Sequence, residues 1–145
     1  MDGHQENNKR AGTENVAEIV ALGKAIELIY TEFDEYNRKL LNLREYYLNE
    51  LKKRIPEFKL NGDRQNRLAG NANVSFDGIN GEELLLELDS KGICASAGSA
   101  CTTGSMSPSH VLTAIGLRES EAGGALRTTF GKDNNIEDID YLVQN

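Results

Sequence analysis

No stretch of these 145 residues is apolar for long enough to cross a bilayer, which takes roughly 20 residues; the apolar runs are as short as Leu84-Leu85-Leu86. The opening Met1-Asp-Gly-His-Gln-Glu6 is polar and lacks the apolar core of a secretory signal, so a cytoplasmic protein is expected. Basic clusters are missing as well. The formal net charge is -7 and the pI about 4.9, which argues against a nucleic-acid or anionic-membrane surface, since either needs grouped Lys and Arg. Cysteine is scarce: Cys94 and Cys101 are the only two, they do not form a C-x-x-C pair, and only His4 and His110 could join them as soft ligands. That excludes a disulfide-stapled secreted scaffold and leaves no expected metal site.

What is present reads as one soluble globular domain, with 39% hydrophobic and 27% charged residues. Residues 7–13 are polar and predict an extended lead-in. Thr13 is the expected cap of a helix that follows, with Glu14 in its first turn, where the positive end of the helix dipole favours an acid. From Val16 to Ile55 apolar residues recur at helical spacing. Val16, Ile19, Val20, Gly23, Ile26 and Ile29 share a face, and Phe33, Tyr36, Leu40, Leu43, Tyr47 and Leu51 continue it as core. The run is long for one globular helix, and Thr31 with Asp34 resembles a capping-box restart. A long N-terminal helix or a helix pair, breaking near Tyr30 and stopped by Pro56, is therefore expected.

Strand signals come next. Phe58 to Leu60 leads into the turn dipeptide Asn61-Gly62, and Asn71 to Phe76 alternates with Ala72, Val74 and Phe76 on one side. Asn80-Gly81 predicts a second turn, Glu82 to Ser90 a helix with Leu84, Leu85 and Leu88 inward, and Gly92 its C-terminal cap. A short strand over Ile93 to Ser96, a helix from Pro108 with Val111, Leu112 and Ile115 as its apolar face, a strand over Ala125 to Phe130 containing Arg127, and a helix over Asn135 to Val143 complete the order. The expected fold is a small layered α/β (α+β-like) domain, its helix or helix pair packed on a small mixed sheet.

The two cysteines differ in setting. Cys94 lies in a short apolar strand and reads as inert packing. Cys101 lies in Ala95-Ser-Ala-Gly-Ser-Ala-Cys101-Thr-Thr-Gly-Ser105, with no large apolar residue between Ser96 and Met106 to bury it. Backbone N–H groups and hydroxyls there can stabilise a thiolate, the reactive form of cysteine. Small residues give reach. On composition alone, a working nucleophile and an idle surface thiol are equally good readings.

The motif separates them. Ile93-Cys-Ala-Ser-Ala-Gly-Ser-Ala-Cys101-Thr-Thr-Gly-Ser-Met-Ser-Pro-Ser-His-Val-Leu-Thr-Ala-Ile-Gly116 resembles the active-cysteine segment of NifS/IscS-type cysteine desulfurases, which are class V aminotransferase relatives of fold-type I. Gln5 to Val16 resembles the family's Gln-Glu-x-x-x-Arg-x-Gly-Thr segment. Asn73 to Phe76 with Gly81-Glu82 resembles its middle strand and turn, and Leu126 to Gly131 its final strand. The resemblance implies an enzyme that uses pyridoxal phosphate as an electron sink, moves sulfur from L-cysteine to a cysteine persulfide and releases alanine, for iron-sulfur cluster or thio-cofactor biosynthesis. It implies Cys101 as the persulfide-forming nucleophile, Arg127 as partner of the substrate carboxylate, and Thr13 as donor to the phosphate of the partner subunit's cofactor, hence a homodimer, with a scaffold protein accepting the sulfur. Arg10 shares Thr13's motif.

The family's cofactor lysine lies in a Ser-x-His-Lys-type segment, and no lysine of this chain has that context; His110 is a solvated residue and not the histidine that stacks on the cofactor. The expectation is therefore the C-terminal part of a desulfurase: residues 1–13 as an extended segment from the large-domain side and 14–145 as the small domain, its last helix truncated. Activity of the chain alone is left open. A cofactor-free persulfide carrier using the same cysteine is the alternative. An aminotransferase relative without thiol chemistry ranks last, because it would not need the Cys101 segment.

Overall fold

The computed structural model describes Gly3 and residues 5–97 and 109–145. These fall into two compact units, 1–35 and 36–145.

In the first unit, α1 (Gln5–Asn8) is a single turn with left-handed backbone at Glu6 and Asn7, not the start of an extended lead-in. The next helix, α2 (Val16–Arg54), begins in this unit. Its cap is Asn15 rather than the expected Thr13: the Asn15 side chain accepts from the Glu18 N–H at 3.3 Å and its carbonyl from the Ile19 N–H at 3.1 Å. An amide placed two residues later in the chain reaches the free N–H groups of the first turn, so the helix starts there.

α2 runs unbroken for 39 residues. The expected break near Tyr30 is absent because Thr31 does not cap. Its hydroxyl bonds backwards into its own helix, to the carbonyls of Leu28 at 2.9 Å and Glu27 at 3.3 Å. Lys52, Lys53 and Arg54 sit in the last turn, where cations suit the negative end of the dipole. The Ile55 N–H closes onto the Leu51 carbonyl at 2.7 Å, and Pro56, with no N–H to give, ends the helix.

In the second unit, β1 (Phe58–Leu60), β2 (Asn71–Phe76) and β3 (Ala125–Thr129) form a sheet of order β1-β2-β3. Both pairings are antiparallel, with Leu60 opposite Val74 and Val74 opposite Leu126. The period-2 alternation of β2 points Ala72, Val74 and Phe76 into the core. There they meet Leu40, Leu43, Tyr47, Leu48 and Leu51 of α2, together with Leu88, Leu126, Phe130 and Ile139. Tyr47 is 1% exposed and meets Phe130 edge-on at 5.6 Å. Burial pushes the Tyr47 phenol up to about 12.

Asn61-Gly62 does not close a two-residue hairpin. Asn61 is buried and acts as a bracket, its Nδ2 donating to Asn73 Oδ1 and Ser75 Oγ, both at 2.7 Å, while the chain leaves through a longer loop to β2. Asn80 likewise caps a helix instead of making a free turn: its side chain accepts from the Glu82 N–H at the start of α3 (Gly81–Ser90). Gly92 ends α3 as expected. With a φ of 73° it sends its N–H to Asp89 and lets the Ile93 N–H reach the Leu88 carbonyl, the paired bonds of a Schellman ending.

α4 (His110–Ala114) buries Leu112 alone; Val111 and Ile115 are exposed. α5 (Glu119–Gly123) is too short to show periodicity and was not expected from sequence. The Arg118 N–H donates to the Glu121 carboxylate at 2.8 Å, and Glu121 also holds Lys59 of β1 at 3.0 Å. Gly124 follows, where a Cβ would collide with the Phe76 carbonyl. α6 (Ile136–Gln144) opens with a reciprocal box between Asn135 and Asp138 and buries Ile139 completely. No helix among the described residues is long and apolar enough to cross a membrane.

Candidate active site

Arg127 occupies the middle of β3, opposite Asn73 of β2. The Arg127 main chain turns to the other edge of its strand and pairs with Ser96. Ser96 N–H donates to the Arg127 carbonyl at 3.1 Å, and the Arg127 N–H donates to the Ser96 carbonyl at 2.6 Å. This isolated bridge is all that forms where a short strand over Ile93 to Ser96 was expected. The Arg127 side chain repeats the contact, Nη2 donating to Ser96 Oγ at 3.2 Å. Among the described residues no carboxylate pairs with this half-buried guanidinium, and Nε and Nη1 are unbonded. An arginine with its backbone fixed, one donor held and the rest of its fork open can receive a planar carboxylate.

The segment that reaches Ser96 is fixed at its start. Ile93 is tied to the end of α3, and the chain then runs through Cys94 and Ala95 to the edge of β3. Cys94 is exposed, which corrects the expectation of a packed core thiol: its neighbours Ile93 and Ala95 are the residues that pack against the core, and in extended chain the side chain between them turns to the other face. Cys101 lies outside the described residues. His110 is exposed at the start of α4.

Thr13 belongs to the other unit. It is exposed, in the turn between Gly12, whose φ is 102°, and the Asn15 cap. Arg10 organises that turn. Its Nη1 donates to the Gly12 carbonyl at 2.8 Å, and its other terminal nitrogen pairs with Glu14. The Thr13 hydroxyl has no hydrogen-bond partner among the described residues.

Two features were not foreseen. Ser96 gave no sequence signal beyond its place among small residues. Arg44 did give one, since it shares the apolar face of α2. It is 3% exposed and bonds the Leu68 carbonyl at 3.2 Å and Glu45, pinning the 61–70 loop to the helix. The guanidinium groups of Arg64 and Arg44 hold the Glu45 carboxyl below its usual range.

Comparison with known proteins decides the family. The aminotransferase class-V model matches residues 3–142. The chain belongs to this family. Among its class-V relatives are proteins named cysteine desulfurase IscS: that of Clostridium botulinum is 54% identical over 144 residues, 98% of this chain and 36% of the relative. That of Dictyoglomus turgidum is 50% identical over 141 residues, 97% of this chain and 36% of the relative. The solved NifS-like protein of Rickettsia africae superposes with a TM-score of 0.83 at 29% identity, over 99% of this chain and 37% of that one. The chain thus spans little more than a third of the relatives it matches. The fold is the α/β one expected of fold-type I pyridoxal-phosphate enzymes, and the class-V family is a family of enzymes.

The family implies pyridoxal phosphate, and the Thr13 turn suits its phosphate. An open hydroxyl stands just ahead of the N-terminus of a long helix, where free N–H groups and the dipole favour an anion. Arg10 occupies the Glu14 carboxylate that would otherwise repel that anion.

Proposed function

We propose that this chain is the substrate-gripping and sulfur-accepting part of a pyridoxal-phosphate-dependent cysteine desulfurase. The observation that carries the reading is the Ser96–Arg127 bridge. It ties the root of the segment bearing Cys101 to an arginine whose open donors suit the carboxylate of free cysteine.

In this reading Arg127 binds and orients the substrate carboxylate. The Cys101 thiolate attacks the substrate's sulfur. A bond forms between the two sulfur atoms and the substrate's Cβ–S bond breaks. The electron pair of that bond stays with carbon, which takes up a proton, so alanine leaves and a persulfide remains on Cys101. Pyridoxal phosphate, when bound, supplies the electron sink for this chemistry. Thr13 and the start of α2 would hold its phosphate in a second subunit, so the working form is a homodimer. The lysine that anchors the cofactor lies outside this chain, and residues 1–13 come from the large-domain side. The persulfide then passes to an acceptor scaffold for iron-sulfur cluster or thio-cofactor assembly in the cytoplasm.

The test is Cys101→Ser in a desulfurase carrying this chain. The variant should retain its affinity for cysteine and lose alanine release; alanine release at the parent rate would remove Cys101 from the reaction.

A further inference from the structure

Four polar residues form a row across the sheet face that turns away from the core. Ala72, Val74 and Phe76 of β2 pack inward, so Asn73 faces the opposite side. Its register partner there is Arg127 of β3. The Arg127 N–H and carbonyl both bond Ser96 on the far edge of that strand. Asn73 and Arg127 are therefore a non-hydrogen-bonded pair, the kind in which cross-strand side chains stand closest. On the other flank Asn61, 2% exposed, donates from Nδ2 to Asn73 Oδ1 and Ser75 Oγ, both at 2.7 Å. In order across the sheet the row is Asn61, Asn73, Arg127, Ser96.

This row decides which end of the Asn73 amide is free. Asn61 occupies its Oδ1, and its Nδ2 has no hydrogen-bond partner among the described residues. The arrangement leaves one buried atom of Asn61, its Oδ1, without a partner. Reversing both amides would instead bury the two N–H groups of Asn61 Nδ2 unbonded, a larger cost. The free Nδ2 of half-buried Asn73 thus stands beside an arginine fork whose Nε and Nη1 are open. We infer that Asn73 is a further substrate-binding residue, whose Nδ2 donates to the α-carboxylate that Arg127 grips. Being neutral, the amide adds a donor to that carboxylate without adding charge repulsion against the substrate's amine. An amine without a carboxylate gives this donor nothing to bond, so Asn73 favours amino acids over simple amines. The inference deepens the desulfurase reading and rests on it for the identity of the ligand.

The experiment titrates a pyridoxal-phosphate-loaded desulfurase carrying this chain with two probes: L-alanine, the product of the proposed reaction, and ethylamine, which is alanine without its carboxylate. Asn73→Ala should weaken L-alanine binding about tenfold, as for the loss of one hydrogen bond to a charged group, and leave ethylamine within about twofold of the parent. Asn73→Asp keeps the oxygen that accepts from Asn61 and replaces the donor by a second carboxylate oxygen. It should weaken L-alanine further, because the new carboxylate occupies the Arg127 fork, and bind ethylamine at least as well as the parent does. Thermal melting confirms that each variant is folded. L-Alanine affinity unchanged in Asn73→Ala, or L-alanine and ethylamine weakened alike in both variants, would overturn the inference. Alanine release from cysteine is assayed separately. An affinity for L-alanine that depends on Asn73 in a protein that releases no alanine contradicts the desulfurase reading and leaves the carboxylate site standing. Alanine release with an affinity indifferent to Asn73 does the reverse.

Discussion

Ser96 holds Arg127 three times over, through both backbone bonds of an isolated bridge and through its hydroxyl on Nη2 at 3.2 Å. The backbone bonds fix where Arg127 stands. The hydroxyl fixes where its fork points, and leaves the remaining donors for a ligand. Ser96 is on this account a positioning residue for the arginine. Ser96→Ala retains the backbone bridge and removes the hydroxyl. In a desulfurase carrying this chain, KM for cysteine should rise about fivefold with kcat nearly unchanged, the effect of losing ~1 kcal/mol of hydrogen bonding. Ser96→Thr, which restores the hydroxyl, should recover most of the loss. Equal falls in kcat and kcat/KM for the alanine variant would contradict a role in ground-state carboxylate binding.

Thr31 offers a test of the unbroken helix. Its hydroxyl bonds back to Leu28 and Glu27, so nothing caps at this position. Thr31→Ala should leave helix content unchanged and stabilise the chain by up to about 0.5 kcal/mol through better helix propensity. Were Thr31 the start of a second helix, the same change would cost ~1 kcal/mol. Urea unfolding followed by far-UV circular dichroism distinguishes the two.

Core and cap substitutions should separate cleanly at α6. Ile139 is 0% exposed among α2, β2 and β3 residues, and Ile139→Ala should cost about 2–5 kcal/mol. Asn135→Ala removes one half of the capping box and should cost ~1 kcal/mol. A cost at Ile139 no larger than at Asn135 would mean that α6 does not pack as described.

Acid stability should depend on Glu121. Its carboxyl is lowered from 4.5 to about 2, first by the Arg118 N–H and then by Lys59 and the Arg118 side chain. A carboxyl lowered in the folded state stabilises above its unfolded value and loses that contribution as pH falls through the folded one. The stability difference between the parent chain and Glu121→Gln should therefore be constant above pH 4.5 and shrink between 4.5 and about 2. A difference that is flat over that range would show that Glu121 does not hold the Arg118 N–H and Lys59.

Much of this architecture was legible because it repeats. The alternation of Ala72, Val74 and Phe76 located β2 to the residue, and the spacing of Leu40, Leu43, Tyr47 and Leu51 marked the buried face of α2. What was misread turned on single side chains with two possible partners. Thr31 could cap a helix or bond backwards, Asn15 could displace Thr13 as the cap, and Asn80 could turn or cap. Each choice depends on which N–H groups lie within reach, which spacing does not encode. The Cys94 reading failed because alternate side chains of an extended segment face opposite ways, and here Ile93 and Ala95 take the core side. Arg127 was identified from the family motif, while its grip by Ser96 emerged only in three dimensions.

The central claim is that Cys101 receives sulfur from cysteine. Mass spectrometry of the chain's peptides, after a desulfurase carrying it has turned over cysteine without an acceptor or reductant, tests this most directly. The account predicts one added sulfur atom on the Cys101 peptide, none on the Cys94 peptide, and none anywhere in Cys101→Ser. Alanine formed in step with turnover while Cys101 carries no added sulfur, or sulfur found on Cys94 instead, would contradict it.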